Sequence, residues 1–186
     1  MTTPGTPPRS TGNSGRLGTF RAGAAGRPRP PRRRLRRLAG LAVFGAAVAA
    51  AALIGSLAVR AAGSAYAGLR QPDWAPPGWL FGPLWSLLYA MIAVAGWLVW
   101  LRAGLPPALA WWVAQLVLNA AWTPIFFGAG RYGLAFIDIV ALWLLIGVTV
   151  ARFARMSRGA TALLLPYWGW VSYAAALNFS IWRLNG

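Results

Sequence analysis

The chain has 186 residues with a net charge of +16: its 18 basic residues are all arginine, its only acids are two aspartates, and it has no histidine or cysteine. Hydrophobic residues make up 58% and charged residues 11%, against about 25% charged in an ordinary soluble domain. Lacking Cys, His and Glu, the chain has no disulfide framework, thiolate metal site, usual zinc or di-iron ligands, or imidazole base, so the composition fits a membrane protein that binds something better than an acid–base enzyme.

Residues 1–37 form the first element. They hold ten of the arginines, six prolines and six glycines, and no acid. Such a stretch buries too little surface to offset its ordering entropy and reads as a disordered tail. Clustered arginine gives phosphate affinity anywhere. Here the tail abuts an apolar run and has no recognisable nucleic-acid module, so we expect no nucleic-acid partner. A polybasic segment beside a membrane span fixes orientation and touches anionic membrane lipids.

Residues 38–186 form the second region, in which charges only punctuate uncharged runs. Those runs hold 22 residues between Arg37 and Arg60, 28 between Asp73 and Arg102, and 28 between Arg102 and Arg131. Arg131 to Arg152 encloses 20, interrupted by Asp138, and Arg158 to Arg183 encloses 24. A membrane helix needs about 20 mostly apolar residues. The spacing predicts an all-α integral membrane bundle of five transmembrane helices, at roughly 40–61, 80–101, 107–128, 132–152 and 160–182. The first run also resembles a signal peptide cleaved after Ala67, in AGSAYAG. It is longer than the about 7–15 residues of a signal core, so we read it as a retained helix. Pro106 and Pro107 fall where the third span begins, a position that tolerates a missing N–H. Trp79, Trp97, Trp100, Trp111 and Trp112 lie near predicted helix ends and read as an aromatic belt. Fourteen arginines fall on the N-terminal side of the membrane and four on the other, so the positive-inside rule places the N-terminus in the cytoplasm.

Polar groups at membrane depth are costly and therefore informative. Gln115, Asn119 and Trp122 share one face of the third span at i, i+4 and i+7. They serve either as interhelical hydrogen-bonding groups or as the wall of a ligand cavity. Trp170, Ala174 and Leu177 form a stripe on the fifth span, with Tyr173 and Asn178 beside it. Trp85 and Tyr89 lie one turn apart in the second span, too deep for the belt. Either these aromatics pack between helices, or Trp85, Trp122 and Trp170 line a cavity for a flat conjugated ligand. Asp138 is the only acid inside a span, with Arg131 or donors on neighbouring helices as its expected partners. No second intramembrane acid exists to form a proton relay, so we read Asp138, like Gln115, as structural.

The strings WAPPGWLFGPLWSLLY (74–89), LNAAWTPIFFGAGRYG (118–133) and LLLPYWGWVSYAAALNFSIWRLN (163–185) resemble the TspO/MBR family of tryptophan-rich sensory and translocator proteins. The resemblance runs in order from about Tyr66 to Asn185 and leaves the tail outside. It implies a five-helix bundle, often a homodimer, that keeps its first helix. It also implies a cavity under the first loop for porphyrins, sterols or similar flat hydrophobic molecules. By motif, Tyr66 matches a lid aromatic, Trp85 a pocket tryptophan, and Asn119 and Trp122 the third-helix wall. Trp170 matches a tryptophan linked to light-dependent porphyrin breakdown, Ala174 and Leu177 the fifth-helix wall, and Asp138 a fourth-helix acid. Two positions depart from relatives: Phe179 stands where a cholesterol-recognition pattern needs Tyr, and Leu134 where some relatives carry Trp. The expected function is tetrapyrrole binding in porphyrin handling and stress sensing, with porphyrin as ligand and no cofactor. Stacking on a metal-free ring is the easiest recognition to explain without His or Cys axial ligands, and Arg70 is a candidate partner for its carboxylates. The alternatives are light- and oxygen-dependent porphyrin degradation through oxidisable Trp85 and Trp170, and transport of a small hydrophobic ligand or sterol. The expected location is a bacterial cell membrane.

Overall fold

The computed structural model describes residues 1–2, 31–62 and 65–186, and the remainder of the expected disordered tail lies outside them. Five long helices and one short one account for nearly all of the described chain. They are α1 (Pro31–Ala62), α2 (Ala65–Gly68), α3 (Phe81–Ala103), α4 (Ala108–Thr123), α5 (Tyr132–Ala154) and α6 (Arg158–Asn185). There is no strand among the described residues. Four of the long helices are long and apolar enough to cross a membrane. The fifth, α6, has 28 residues, and its Trp, Tyr, Ser and Asn side chains lower its hydropathy without shortening it.

The expected spans at 80–101 and 132–152 match α3 and α5 to within about two residues, the one at 107–128 matches α4 together with the five-residue turn Pro124–Gly128 that follows it, and α6 overruns its expected span at both ends. The first is corrected: α1 begins at Pro31, inside the stretch expected to be tail. Proline is preorganised for the first helical position, and arginine is a good helix former. Neighbouring α3 holds the added turns. The Trp97 indole donates to the Arg37 carbonyl at 3.0 Å, and the Arg36 guanidinium lies 5.3 Å from the centre of the Trp100 ring.

The long helices close into a ring. Helix α1 packs on α3, α3 on α6, α6 on α5, α5 on α4, and α4 back on α1. Each inner helix presents a stripe at helical spacing, such as Ala135, Ile139, Leu142, Ile146, Thr149 and Phe153 on α5. In a bilayer, close packing and interhelical hydrogen bonds hold such a bundle, because lipid is as apolar as the core. Gly96 makes the α1–α3 contact possible: a Cβ there would meet Phe44 and Trp112 at 2.8 Å.

Trp112 also corrects an expectation. It is buried and donates its indole N–H to the Ile92 carbonyl at 3.0 Å, so it belongs to the core and not to the belt. Adjacent helical residues point about 100° apart, and of the Trp111–Trp112 pair only Trp111 is exposed.

Pro124 lacks the N–H that would continue the α4 ladder. The chain widens there into a π turn over Pro124–Gly128, closed by the Ala129 N–H on the Pro124 carbonyl at 2.9 Å. Gly130, at φ 61°, then takes the left-handed conformation that lets the chain turn into α5.

Candidate ligand-binding site

Four helices converge on one cavity beside the middle of α6, on the side of the bundle where the α2–α3 loop lies. Helix α3 contributes Phe81, Trp85 and Tyr89, and α4 contributes Asn119, Trp122 and Thr123. Helix α5 contributes Ile139 and Leu142, and α6 contributes Trp170, Val171 and Ala174. The spacing of Trp85 and Tyr89, and of Trp170 and Ala174, is one helical turn, which puts each pair on one inward face. The enclosed space is about 30 Å³, room for one or two waters.

A polar chain runs beneath the cavity. The Tyr89 hydroxyl donates to Asn119 Oδ1 at 2.8 Å, Asn119 Nδ2 donates to the Tyr167 hydroxyl at 3.1 Å, and Tyr167 donates to Gln115 Oε1 at 2.8 Å. Gln115, Asn119 and Tyr167 are each at most 4% exposed. Their hydrogen bonds join α3, α4 and α6, and they fix the Asn119 amide with its oxygen toward Tyr89. Gln115 and Asn119 therefore both take part in interhelical bonding, and Asn119 alone of the two reaches the cavity. The Trp122 indole donates to Asn178 Oδ1 at 2.9 Å, and Asn178 Nδ2 donates to the Tyr132 carbonyl at 2.9 Å. This holds the Trp122 ring in one orientation, stacked on Phe126 with centroids 4.9 Å apart.

Aromatic rings roof the cavity. Tyr66 meets Phe81 edge-on at 5.4 Å, Phe81 meets Trp170 at 5.9 Å, Trp170 stacks on Tyr173 at 5.2 Å, and Tyr173 meets Trp74 at 5.5 Å. Centroid spacings of about 4.5–7 Å in edge or offset geometry are favourable for aromatic pairs. Main-chain hydrogen bonds fasten this roof. Tyr173 donates to the Trp74 carbonyl at 3.0 Å, Tyr66 to the Pro76 carbonyl at 3.4 Å, and the Gln71 amide to the Tyr66 carbonyl. Asn185, at the end of α6, accepts from the Arg70 N–H at 2.9 Å and donates to the Arg70 carbonyl at 2.9 Å. Its amide also reaches the Ile181 carbonyl at 2.8 Å. Burial, and then the neighbouring Tyr173 phenol, pushes the Tyr66 phenol up from its ordinary value, so it remains a neutral donor at physiological pH.

The structure thus brings together Trp85, Tyr89, Asn119, Trp122, Trp170 and Ala174. It places Tyr66 in the lid above Phe81, and Leu177 in a neighbouring cluster with Phe126, Ala135 and Ile181. The Trp170 indole N–H has no hydrogen-bond partner among the described residues. Asp138 Oδ2 is buried without a partner among the described residues, so neither Arg131 nor a described neighbouring donor reaches that oxygen. Sequence reasoning missed Phe81, Tyr167 and Asn185. Tyr167 stands three residues before Trp170 and shares its side of the helix, a signal that was present. Asn185 gave none, because a polar residue at a helix end needs no partner to be stable.

The comparisons with known proteins agree with this architecture. Residues 42–183 match the model of the TspO/MBR family. The human translocator protein is 38% identical over 127 residues, covering 64% of this chain and 74% of its own. The tryptophan-rich protein TspO of Chlorobaculum tepidum is 40% identical over 124 residues, covering 64% and 78%. Protein CrtK of Rhodobacter capsulatus is 38% identical over 135 residues, covering 69% and 82%. With its ring of apolar helices and a family match over most of its length, the chain is an integral membrane protein and belongs to the TspO/MBR family.

Proposed function

We propose that the cavity beneath the aromatic roof binds a tetrapyrrole or a similarly flat, conjugated molecule, and that the protein serves porphyrin handling and stress sensing. The observation that carries this reading is the convergence of Trp85, Trp122 and Trp170 from three helices on one space, with Asn119 and Tyr89 at its floor. Indole rings supply stacking surface, and a few fixed polar groups orient the ligand. Sites for drug-sized ligands occupy about 300–1,000 Å³, far more than the enclosed space. Entry therefore requires the roof to open and Trp170 and Phe81 to part. The restraints on the roof are hydrogen bonds and ring contacts, each of modest strength.

Titrating full-length protein in detergent with a metal-free porphyrin, read by quenching of tryptophan fluorescence, tests the reading. Trp170→Phe keeps most of the flat apolar surface and removes the indole N–H. Binding should weaken by about three- to tenfold, since aromatic contacts beyond area burial are worth about 0.5–1.5 kcal/mol. Unchanged binding in this variant would remove Trp170 from the site.

A second reading, light-dependent porphyrin degradation, is favoured by one feature. The Trp170 indole N–H is without a hydrogen-bond partner among the described residues and its ring stacks on Tyr173 with an interplanar angle of 28°, so two oxidisable rings lie beside the cavity. Under illumination with oxygen, breakdown of bound porphyrin in Trp170→Phe should fall far more than binding does. Breakdown equal to that of the native protein would leave Trp170 as a wall residue only.

The protein resides, on this reading, in a bacterial cell membrane with its N-terminus in the cytoplasm, as the arginine asymmetry favours. A reporter fused at Gly186 should read as external, and a cytoplasmic reading would reverse the orientation.

A further inference from the structure

The cavity occupies one end of the bundle, and the arginines gather at the other. That second end is formed by the start of α1, the end of α3, and the turn from α5 into α6. Arg33, Arg34, Arg36 and Arg37 on α1, Arg102 on α3, and Arg152, Arg155 and Arg158 at the turn are all exposed. Both acids of the chain lie elsewhere, Asp73 in the lid loop and Asp138 near the start of α5. No carboxylate side chain is therefore available to these guanidinium groups at their own end.

Local contacts tie the charges into one surface. Arg36 rests over the Trp100 ring on one flank of α3. On the other flank, Arg102 Nη1 donates to Ser157 Oγ at 2.6 Å. Ser157 also caps α6 by accepting from the Ala160 N–H at 3.1 Å, which holds Arg155 and Arg158 close to Arg102. The indoles of Trp97 and Trp100 lie at the same level, with Trp97 bonded to the Arg37 carbonyl. Tryptophans of this kind mark the membrane–water interface, so the arginines stand at headgroup depth.

We propose that this end of the bundle is a docking surface for anionic phospholipids of the surrounding membrane. Guanidinium groups match the phosphate diester with paired N–H donors. Arginines near an anionic surface each strengthen binding by about fivefold. The N-termini of α1 and α6 add the positive end of their helix dipoles to the same field. A membrane lipid fits better than a free anion because exposed apolar side chains of α1, among them Leu38 and Val43, continue from the guanidinium groups toward the membrane core and give acyl chains a surface to lie on. It fits better than nucleic acid because the charges sit beside the interfacial tryptophans.

Native mass spectrometry of the full-length protein, equilibrated in neutral detergent with equal phosphatidylglycerol and phosphatidylcholine, tests the proposal. Phosphatidylglycerol should be retained over phosphatidylcholine by well over tenfold, and 0.5 M salt should remove most of that preference, as expected of screened charges. The triple variant Arg36→Gln, Arg102→Gln, Arg155→Gln should lose most of it. Arg36→Gln alone, which spares the Ser157 contact, should lose about fivefold. The triple variant Arg60→Gln, Arg131→Gln, Arg183→Gln, at the cavity end, should keep the preference. Equal retention of the two lipids, or equal loss from both triple variants, would overturn the proposal. Glycerol phosphate displacing phosphatidylglycerol at equal concentration would also overturn it, by making the site one for free phosphate. So would a short DNA duplex doing the same.

Discussion

The two ends of the bundle treat their polar groups in opposite ways. At the cavity end, hydrogen-bonding side chains are largely consumed within the protein. Asn119, Tyr167 and Gln115 bond one another, Asn178 holds Trp122, and Asn185 clamps the lid backbone. At the opposite end, the arginine charges have no acid beside them and face outward. The first arrangement fixes the shape of an enclosed site, and the second leaves charge available to the surroundings. If the two ends work separately, a change at one should leave the function of the other intact.

The largest disturbance should come from Gly96→Leu, which drives a side chain into Phe44 and Trp112. Overpacking of this kind costs about 1–3 kcal/mol and should lower the thermal midpoint in detergent. It loosens α1, which contributes no residue to the cavity wall among the described residues. The protein that remains folded should bind porphyrin within about threefold of native, and a larger loss would show that the ends are coupled.

Next is Tyr167→Phe. It leaves Gln115 Oε1 and Asn119 Nδ2 without the partner they share. Such losses cost about 1–3 kcal/mol in water-soluble cores and average about 0.6 kcal/mol in membrane bundles. We expect about 1 kcal/mol in unfolding, accompanied by weaker porphyrin binding as Asn119 loses its orientation. Unfolding and porphyrin titration would separate the two effects, and full affinity would remove the polar chain from the site.

Asn185→Ala should barely alter stability but release the lid. Hydrogen exchange of the Arg70 amide should rise about tenfold, and porphyrin should associate and dissociate faster with little change in affinity. Unchanged exchange would show that the aromatic roof alone holds the loop. The smallest effect on ligand binding belongs to the other end: the triple variant Arg36→Gln, Arg102→Gln, Arg155→Gln should bind porphyrin within twofold of native. Deleting residues 2–30 should do the same, and a tenfold loss, about 1.4 kcal/mol, would tie the basic end to the cavity.

Charge spacing alone located the five long helices, because an uncharged run of membrane length has few other uses. It misplaced the start of α1, since arginine-rich composition resembles a disordered tail until Trp97 and Trp100 supply contacts. The inward face of α4 was legible from the periodicity of Gln115, Asn119 and Trp122. Its depth was not: Gln115 lies behind the cavity and Asn119 on it, a distinction set by the neighbouring helices. The same holds for Leu177, which shares a face with Ala174 yet packs one turn further along, against Phe126. The Asn185 clamp joins residues 115 positions apart, a pairing that no local pattern announces.

The central claim is that a ligand enters the space beside Ala174. The most direct test pairs Ala174→Leu with Ala176→Leu on the same helix. Ala174 is buried in the cavity wall, whereas Ala176 is exposed in a separate outer groove between α5 and α6 that Phe136, Trp143 and Phe179 also line, so the added volume is identical and only its direction differs. With helicity verified for both by circular dichroism, porphyrin affinity should fall at least tenfold in Ala174→Leu and remain native in Ala176→Leu. Equal affinities in the two variants would contradict the account, because the ligand would then be bound somewhere other than beneath the roof.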